Sequence, residues 1–172
     1  MTLYRYVGPK RIADRIAATP AGYPIHSPAD VRAWVTGTAQ ELSAGCVTAT
    51  YVIDAAGTLL IADRRSEHVA CAGGRPVRSA GELTFAVGRT VEVGGVTNQS
   101  TGYCPEPGSW PVVSAALAGC GLSAPGGFTA AYEFRRCPGC GGITLIKDGL
   151  FECDGCGSEL PAAYNLQGPT PG

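Results

Sequence analysis

Four of the eight cysteines stand in two closely spaced pairs near the C-terminal end of the 172-residue chain. Cys137 and Cys140 form one CxxC, Cys153 and Cys156 form a second, and twelve residues separate the pairs. The tight turn of a CxxC lets both sulfurs face one point, so two such turns supply the four thiolates that a tetrahedral structural Zn²⁺ takes. The spacing predicts one structural zinc per chain. Two disulfides or a redox-active CxxC are weaker alternatives, because a redox CxxC usually occurs once, near a βαβ pattern.

The segment between the two cysteine pairs has the pattern of a β-hairpin. Its first half, Ile-Thr-Leu-Ile at 143–146, is rich in β-branched residues, and the Asp-Gly pair that follows is a hairpin turn signal. Gly141 and Gly157 each follow a CxxC, where a glycine lets the backbone pass close to the sulfurs. These features predict a zinc ribbon over residues 128–160. Its first part, residues 128–136, is expected to be a strand that leads into the first CxxC. Residues 161–172 lack a periodic pattern, which predicts a flexible tail.

The composition restricts the class of protein. With 45% apolar side chains the chain can bury a real core. The formal net charge is −1, and four thiolates around one Zn²⁺ bring it to about −3, so no basic excess indicates nucleic-acid binding by counterion release. The sequence shows no signal-peptide pattern and no apolar run of membrane-spanning length, so we expect a cytoplasmic protein.

The other four cysteines lack ligand spacing: Cys46, Cys71, Cys104 and Cys120. In a reducing compartment they are expected to be free thiols, buried or partly buried. A second metal site assembled in three dimensions is the alternative.

Residues 1–127 are expected to form an α+β core module. Periodicity and turn residues predict two N-terminal helices, an antiparallel meander and one later helix. The helices follow Pro9, Ser27-Pro28 and Ser109, and the first extends to about Ala18. A first strand is predicted at 3–7, and the four strands of the meander at 46–54, 58–62, 83–87 and 91–97.

Three segments of the core occur in an order seen in a known family. They are Tyr6-Val7-Gly8-Pro9-Lys10, then His68 with Gly74, Pro76, Val77 and Ala80-Gly81-Glu82, and then Ser100, Tyr103 and Pro105. Together they resemble the core module of the plant IQ-motif calmodulin-binding (IQM) proteins, with its YLGP entry and SGHYxP loop. They are also similar to bacterial segments of the form HSSxLAGxPVxxAGE. The resemblance covers roughly residues 3–122 and does not include the ribbon.

The chain departs from this family pattern at three positions. Val69 and Ala70 stand where the family has two serines after its histidine, and Gly102 stands where it has a second histidine. If these side chains form a reactive site in such relatives, two hydroxyl groups and one imidazole of that site are missing from this chain. No Ile-Gln-x-x-x-Arg helix is present, so calmodulin binding is not expected.

The resemblance singles out His68, Glu82, Ser100 and Tyr103 as a candidate pocket. A histidine can act as a base or a hydrogen-bond donor near neutral pH, and the tyrosine offers a stacking face and a hydroxyl. Gly73-Gly74 would allow close backbone approach, to a ligand or to another strand. In the alternative, structural interpretation, His68 and Glu82 are a hydrogen-bonded pair that joins two strands, and Ser100 caps the loop before Tyr103.

Three functional hypotheses follow. In the first, the chain is a cytosolic binding or adaptor module that recognises a protein or nucleic-acid partner, and its zinc is structural. In the second, it is an enzyme that handles a nucleotide or NAD through His68, Glu82 and Tyr103, by loose similarity to ADP-ribosyltransferase-like folds. In the third, it is a regulatory or defence-system component that docks another subunit through the ribbon. No GxGxxG, P-loop, GxSxG or HExxH pattern points to a particular chemistry.

Overall fold

The computed structural model describes residues 1–167, which form a five-stranded antiparallel sheet, four α-helices, a 3₁₀ helix (Pro107–Ser109) and a small second hairpin. The strands of the main sheet are β1 (Tyr23–Ile25), β2 (Cys46–Ile53), β3 (Leu59–Asp63), β4 (Ser79–Val87) and β5 (Val91–Val96), in the order β1-β3-β2-β4-β5. The hairpin pairs β6 (Phe134–Arg136) with β7 (Ile143–Leu145). The helices are α1 (Lys10–Ala13), α2 (Pro28–Gly37), α3 (His68–Cys71) and α4 (Trp110–Gly119). The predicted α+β class, an antiparallel sheet with helices followed by a small hairpin, is confirmed.

Both faces of the main sheet are covered. Along β3, Leu59 and Ile61 pack in the core cluster that contains α2 and α4, whereas Leu60 and Ala62 pack in the cluster that contains α3. Successive side chains of a strand point to opposite faces, so a strand covered on both sides carries a nearly continuous apolar run. This explains why the central strands show little polar alternation in sequence.

Helix α2 begins where the sequence predicts. The Asp30 carboxylate accepts hydrogen bonds from the backbone N–H groups of His26 (2.8 Å) and Ser27 (3.0 Å), as in a capping box. Val31 and Trp34 form the buried stripe of the helix. Both determinants are local in sequence, which is why they could be recognised without the tertiary structure.

The N-terminal segment differs from the prediction. Instead of a strand at 3–7, it makes a single bridge between Tyr4 and Val77, while the Val7 N–H donates to the Gly102 carbonyl (2.7 Å). The segment pairs with two different parts of the chain, so no continuous ladder forms. Helix α1 ends at Ala13, not near Ala18, because the N–H groups of Arg15 and Ile16 bond three residues back in a tightened turn.

Four further boundaries differ from the sequence-based assignment. Residues 23–25 form edge strand β1, and residues 68–71 form helix α3, where no regular element was predicted. Strand β4 begins at Ser79, four residues before the predicted start, because residues 79–82 pair with residues 50–53 of β2. The strand predicted at 128–136 is reduced to β6, since Thr129 instead donates to the Val96 carbonyl at the end of β5 (2.8 Å).

The stretch expected to be a flexible tail is packed as far as it is described. Leu166 is buried, and the Asn165 side chain makes two hydrogen bonds, both 2.8 Å long, with the backbone N–H and carbonyl of Arg136. Residues 168–172 lie outside the described residues. Within residues 1–167, no helix has the length and apolarity needed to cross a membrane.

Candidate metal centre

The two CxxC segments fold into nearly identical turns. In the first, the Gly139 N–H donates to the sulfur of Cys137 at 3.3 Å. In the second, the Gly155 N–H donates to the sulfur of Cys153, also at 3.3 Å. Each turn therefore aims its backbone N–H groups at the first sulfur of its pair, and such bonds stabilise a thiolate.

The glycines after the CxxC segments have backbone conformations that favour glycine. Gly141 and Gly157 have φ of +75° and +73°, in the left-handed region that favours glycine. Their N–H groups donate to the carbonyls of Cys137 (2.9 Å) and Cys153 (2.8 Å), which closes each turn.

The four sulfurs form one compact cluster, all within 4.8 Å of one another. The sulfurs of Cys137 and Cys156 are 3.5 Å apart and those of Cys140 and Cys153 are 3.6 Å apart. These distances exceed a disulfide bond of about 2.05 Å and approach the separation of about 3.8 Å that tetrahedral Zn–S bonds of about 2.3 Å require. The cluster can therefore hold a metal ion.

The thiols of the cluster differ in acidity. The bond donated by the Thr144 hydroxyl, together with the Gly155 N–H, lowers the pKa of Cys153 to about 6. At Cys140 the Gly142 N–H favours the thiolate, but the neighbouring sulfurs outweigh it and raise the pKa to about 11. Four thiolates therefore repel one another without a cation between them, which is the donor chemistry of a metal site. The sequence analysis did not identify Thr144; the only signal was a hydroxyl residue within an apolar strand.

A buried arginine on β6 contacts both the segment between the two cysteine pairs and the C-terminal segment. Arg135 is 4% exposed and donates hydrogen bonds to the carbonyls of Ala162 (2.9 and 3.2 Å) and Phe134 (2.8 Å). Its guanidinium lies 5.8 and 5.9 Å from the ring centroids of Phe151 and Tyr164. Arg135 thus connects strand β6, the segment between the two cysteine pairs and the C-terminal segment. Its position in the sequence did not indicate this role.

His68 and Glu82 lie close enough to influence each other, but each has a different partner. His68 Nε2 is 2.9 Å from the Gly81 carbonyl oxygen, and since a carbonyl only accepts, Nε2 carries the proton. The Glu82 carboxylate pairs with Arg64 Nε at 3.4 Å. The histidine therefore joins α3 to β4 through the backbone rather than through the carboxylate.

Ser100 and Tyr103 are buried, and their polar groups are engaged within the chain. The Tyr103 hydroxyl donates to the Arg75 carbonyl (2.7 Å), and Ser100 Oγ accepts the Tyr103 N–H (3.2 Å). The Tyr103 ring makes an edge contact with Tyr6 at 5.9 Å. A side chain at Gly102 would place its Cβ 2.7 Å from Tyr6 Cε2, so a histidine at this position would displace the Tyr6 ring.

Gly73 and Gly74 make a chain reversal after α3, with φ of +63° and +74°. A Cβ on Gly73 would lie 2.7 Å from the backbone nitrogen of Pro20. The close approach that the glycines were expected to allow is therefore made at Gly73 by the chain's own segment.

The scattered cysteines are free thiols, as predicted, and three of them are buried in separate core clusters. Burial raises the pKa of Cys71 and Cys104 to about 12. These thiols stay protonated and unreactive at neutral pH.

We expect His68 to make stability depend on pH. Burial lowers the pKa of His68 below its usual 6.5, despite the opposing effect of the Gly81 bond. The unfolded chain then binds more protons than the folded chain just below pH 6.5, so the free energy of unfolding falls as the pH falls through this window. Replacing His68 by Gln keeps an N–H donor and should flatten this dependence in urea unfolding measured between about pH 5 and pH 7.5.

The matched control is His26→Gln, because His26 is exposed and is the other histidine of the chain. Its pH dependence should equal that of the wild type. Equal slopes for His68→Gln and the wild type would contradict the assignment of a buried, neutral His68.

Comparisons with models of known protein families, with curated proteins and with solved structures found no match. The resemblance to the IQM core module stays a prediction.

Proposed function

We propose that the chain is a binding module of the reducing cytoplasm whose C-terminal zinc ribbon recognises a protein partner. The observation that carries this proposal is the four-cysteine cluster, whose first CxxC lies in the turn between β6 and β7. Four cysteine ligands fill a tetrahedral shell and leave no open position for a substrate, which is typical of a structural zinc. The absence of disulfides among the eight cysteines supports a reducing environment.

The surface of the ribbon favours a protein over a nucleic acid. Residues 128–160 carry five carboxylates and three basic side chains, a formal charge of −2, and one Zn²⁺ with four thiolates adds about −2. A nucleic-acid surface needs the opposite sign. Leu150 follows the Asp148-Gly149 turn between the two cysteine pairs and is 62% exposed, and the Lys147–Asp154 ion pair (2.8 Å) lies nearby. An apolar side chain with a polar surround is typical of a protein-interaction site.

The enzyme hypothesis has less support from the geometry. The Tyr103 hydroxyl, Ser100 Oγ and His68 Nε2 each bond to the chain's own backbone. Tyr103 and Ser100 are at most 1% exposed, so neither presents a reactive group to solvent. The IQM-like core then serves as the scaffold that carries the ribbon.

Replacing Leu150 by Ser is expected to weaken partner binding at least about fivefold, the effect of losing a modest interface anchor. The partner is isolated with the zinc-loaded full chain from a lysate of the organism that encodes it, then purified and titrated by calorimetry. The matched control is Leu42→Ser, because Leu42 is 41% exposed but belongs to the α2–β2 loop.

Both variants must retain the wild-type zinc content and thermal unfolding temperature, so that a loss of binding reports the surface and not the fold. Equal affinities for wild type and Leu150→Ser would contradict recognition through the surface around Leu150. A captured complex that nuclease treatment disperses would contradict the protein partner and favour a nucleic acid.

A further inference from the structure

A cleft of about 510 Å³ lies beside helix α4, away from the residues considered so far. Its walls come from the exposed side of α4, the end of β1 and the turn between β2 and β3. None of its lining residues belongs to the ribbon or to the His68, Glu82, Ser100 and Tyr103 group. The volume falls within the range of small-molecule sites in proteins.

One end of this cleft is lined by an arginine without a counter-ion. Within residues 1–167, no carboxylate oxygen lies within 4 Å of the Arg78 guanidinium, and its buried Nε–H has no acceptor. The nearby carboxylate of Asp54 is already occupied, since it accepts the N–H groups of Ala56 (2.9 Å) and Thr58 (2.8 Å) in its own turn. A buried donor that lacks an acceptor is costly, so each one in a native structure calls for an explanation, and an acceptor on a bound ligand is one.

The turn leaves room above this guanidinium. Gly57 has φ of +90°, and a Cβ at this position would lie 3.4 Å from Arg78 Nη1. The absence of a side chain at Gly57 therefore keeps the β2–β3 turn from covering the charged end of the cleft. The planar guanidinium of an arginine offers a two-pronged donor, the geometry that matches a carboxylate.

The rest of the cleft is suited to an apolar group. Val112, Ala115 and Ala116 contribute from α4, whereas Leu59 and Ile25, which also line the cleft, are each only 1% exposed. Besides Arg78, the only basic side chain on the walls of the cleft is that of His26, which is exposed. A single fixed positive charge beside an apolar wall matches a ligand with one negative charge and an apolar body.

We propose that this cleft binds a monocarboxylate with an apolar body, and that Arg78 holds the carboxylate. Both a free aryl- or alkyl-carboxylic acid and the C-terminal carboxylate of a peptide with an apolar last residue have this chemistry. The site is independent of the zinc ribbon, so its test does not depend on the proposed partner.

The test is an NMR titration of the zinc-loaded, ¹⁵N-labelled full chain with 4-phenylbutyrate. Saturable shifts are expected for the backbone amides of Gly57, Thr58 and Ala115, with a Kd of about 1–10 mM for a probe of this size. The neutral analogue 4-phenylbutanamide should bind about 10- to 100-fold more weakly, because it cannot make the charge-assisted bonds. A second arm compares acetyl-Ala-Phe having a free carboxylate with its amide, which distinguishes a chain terminus from a free acid.

Two variants separate the charge from the cavity. Arg78→Met should weaken phenylbutyrate binding about 10-fold or more, while Arg89→Met, which removes an exposed arginine of the β4–β5 turn, should leave it unchanged. Ala115→Phe changes an exposed helical position and narrows the cleft, so it should also weaken binding even if Arg78→Met fails to fold.

Several results would overturn the proposal. These are the absence of saturable shifts up to about 50 mM probe, equal affinity for the acid and its amide, unchanged binding in Arg78→Met or in Ala115→Phe, and shifts confined to another part of the chain. Tighter binding of inorganic phosphate than of 4-phenylbutyrate would overturn the carboxylate assignment.

Discussion

Cys153→Ser is expected to lower the zinc content of the purified chain from about one ion per molecule to nearly none, and to unfold the ribbon. Cys153 is buried, and it receives hydrogen bonds from the Thr144 hydroxyl and the Gly155 N–H. A serine hydroxyl does not supply the thiolate charge that the ion needs. The three remaining sulfurs would therefore not retain the ion with comparable affinity. Structural zinc contributes about 10–16 kcal/mol to folding in small zinc-finger domains, so loss of the ion should unfold the ribbon.

The loss of zinc should also destabilise the core module, because strand β6 packs against a residue of that module. Phe134 of β6 and Leu166 of the C-terminal segment share a small cluster with the buried Cys104. We expect the free energy of unfolding to fall by about 3 kcal/mol or more, which corresponds to a decrease of roughly 6–12 °C in the unfolding temperature for a chain of this size. Elemental analysis and calorimetry measure the two effects.

The control for this prediction is Cys46→Ser. Cys46 is a half-buried free thiol at the start of β2, outside the cluster. Its variant should bind one zinc and should unfold within about 3 °C of the wild type. A wild-type chain that is fully folded after exhaustive chelation, with an unchanged unfolding temperature, would contradict the structural role of the metal.

Gly81→Ala is expected to destabilise the fold by about 3 kcal/mol or more, through overpacking in the sheet. The backbone of the segment after β5 crosses directly over Gly81. A Cβ at this position would overlap the Thr97 carbonyl oxygen and lie 2.7 Å from the Thr97 carbonyl carbon. The obstacle is backbone and not the end of a flexible side chain, so relief requires that the crossing segment move away from β4.

That movement would break several buried hydrogen bonds. The Thr97 carbonyl accepts the hydroxyl of the buried Tyr51 at 2.8 Å. The next residue, Asn98, bonds through its side chain to the carbonyls of Pro105 (2.8 Å) and Tyr132 (2.7 Å). The Asn98 network connects the sheet to the chain that enters the β6–β7 hairpin, so the effect of Gly81→Ala should extend beyond the strand itself.

The matched control is Gly94→Ala, on the neighbouring strand β5. A Cβ there would lie 3.9 Å from the Thr84 carbonyl oxygen, an ordinary contact, so a change within about 1 kcal/mol is expected. Urea unfolding of both zinc-loaded variants gives the comparison. If Gly81→Ala costs no more than the control, the chain crossing seen at Thr97 is not a tight constraint on the fold.

The features that the sequence predicted well depend on residues close together in the chain. The start of α2 follows from Ser27, Pro28 and Asp30 within one turn. The turns at the metal cluster follow from two CxxC segments with a glycine after each. The hairpin expected between them is reduced to the Asp148-Gly149 turn with a single bridge from Lys147 to Leu150, because β7 pairs with β6 instead. Hydrogen bonds over three or four residues and fixed turn conformations give each of these features a short-range cause.

The candidate pocket shows what residue types alone leave open. The resemblance singled out His68, Glu82, Ser100 and Tyr103 either as groups that act on a ligand or as structural residues, and their residue types are compatible with both roles. Their backbone partners belong to distant segments: the Gly81 carbonyl for His68 and the Arg75 carbonyl for Tyr103. Only the tertiary structure shows which of a residue's polar atoms are already engaged.

By itself, the sequence determined the α+β class, the helix that starts at Pro28 and the four cysteines that meet at one point. Tertiary structure alone decided that Arg135 is buried between two aromatic rings, that Arg78 lines a cleft without a counter-ion, and that residues up to 167 are packed. The physical reason is the range of the interactions. Caps, turns and metal knuckles are satisfied by neighbours in the chain, whereas the burial and pairing of a charged side chain depend on segments that only folding brings together.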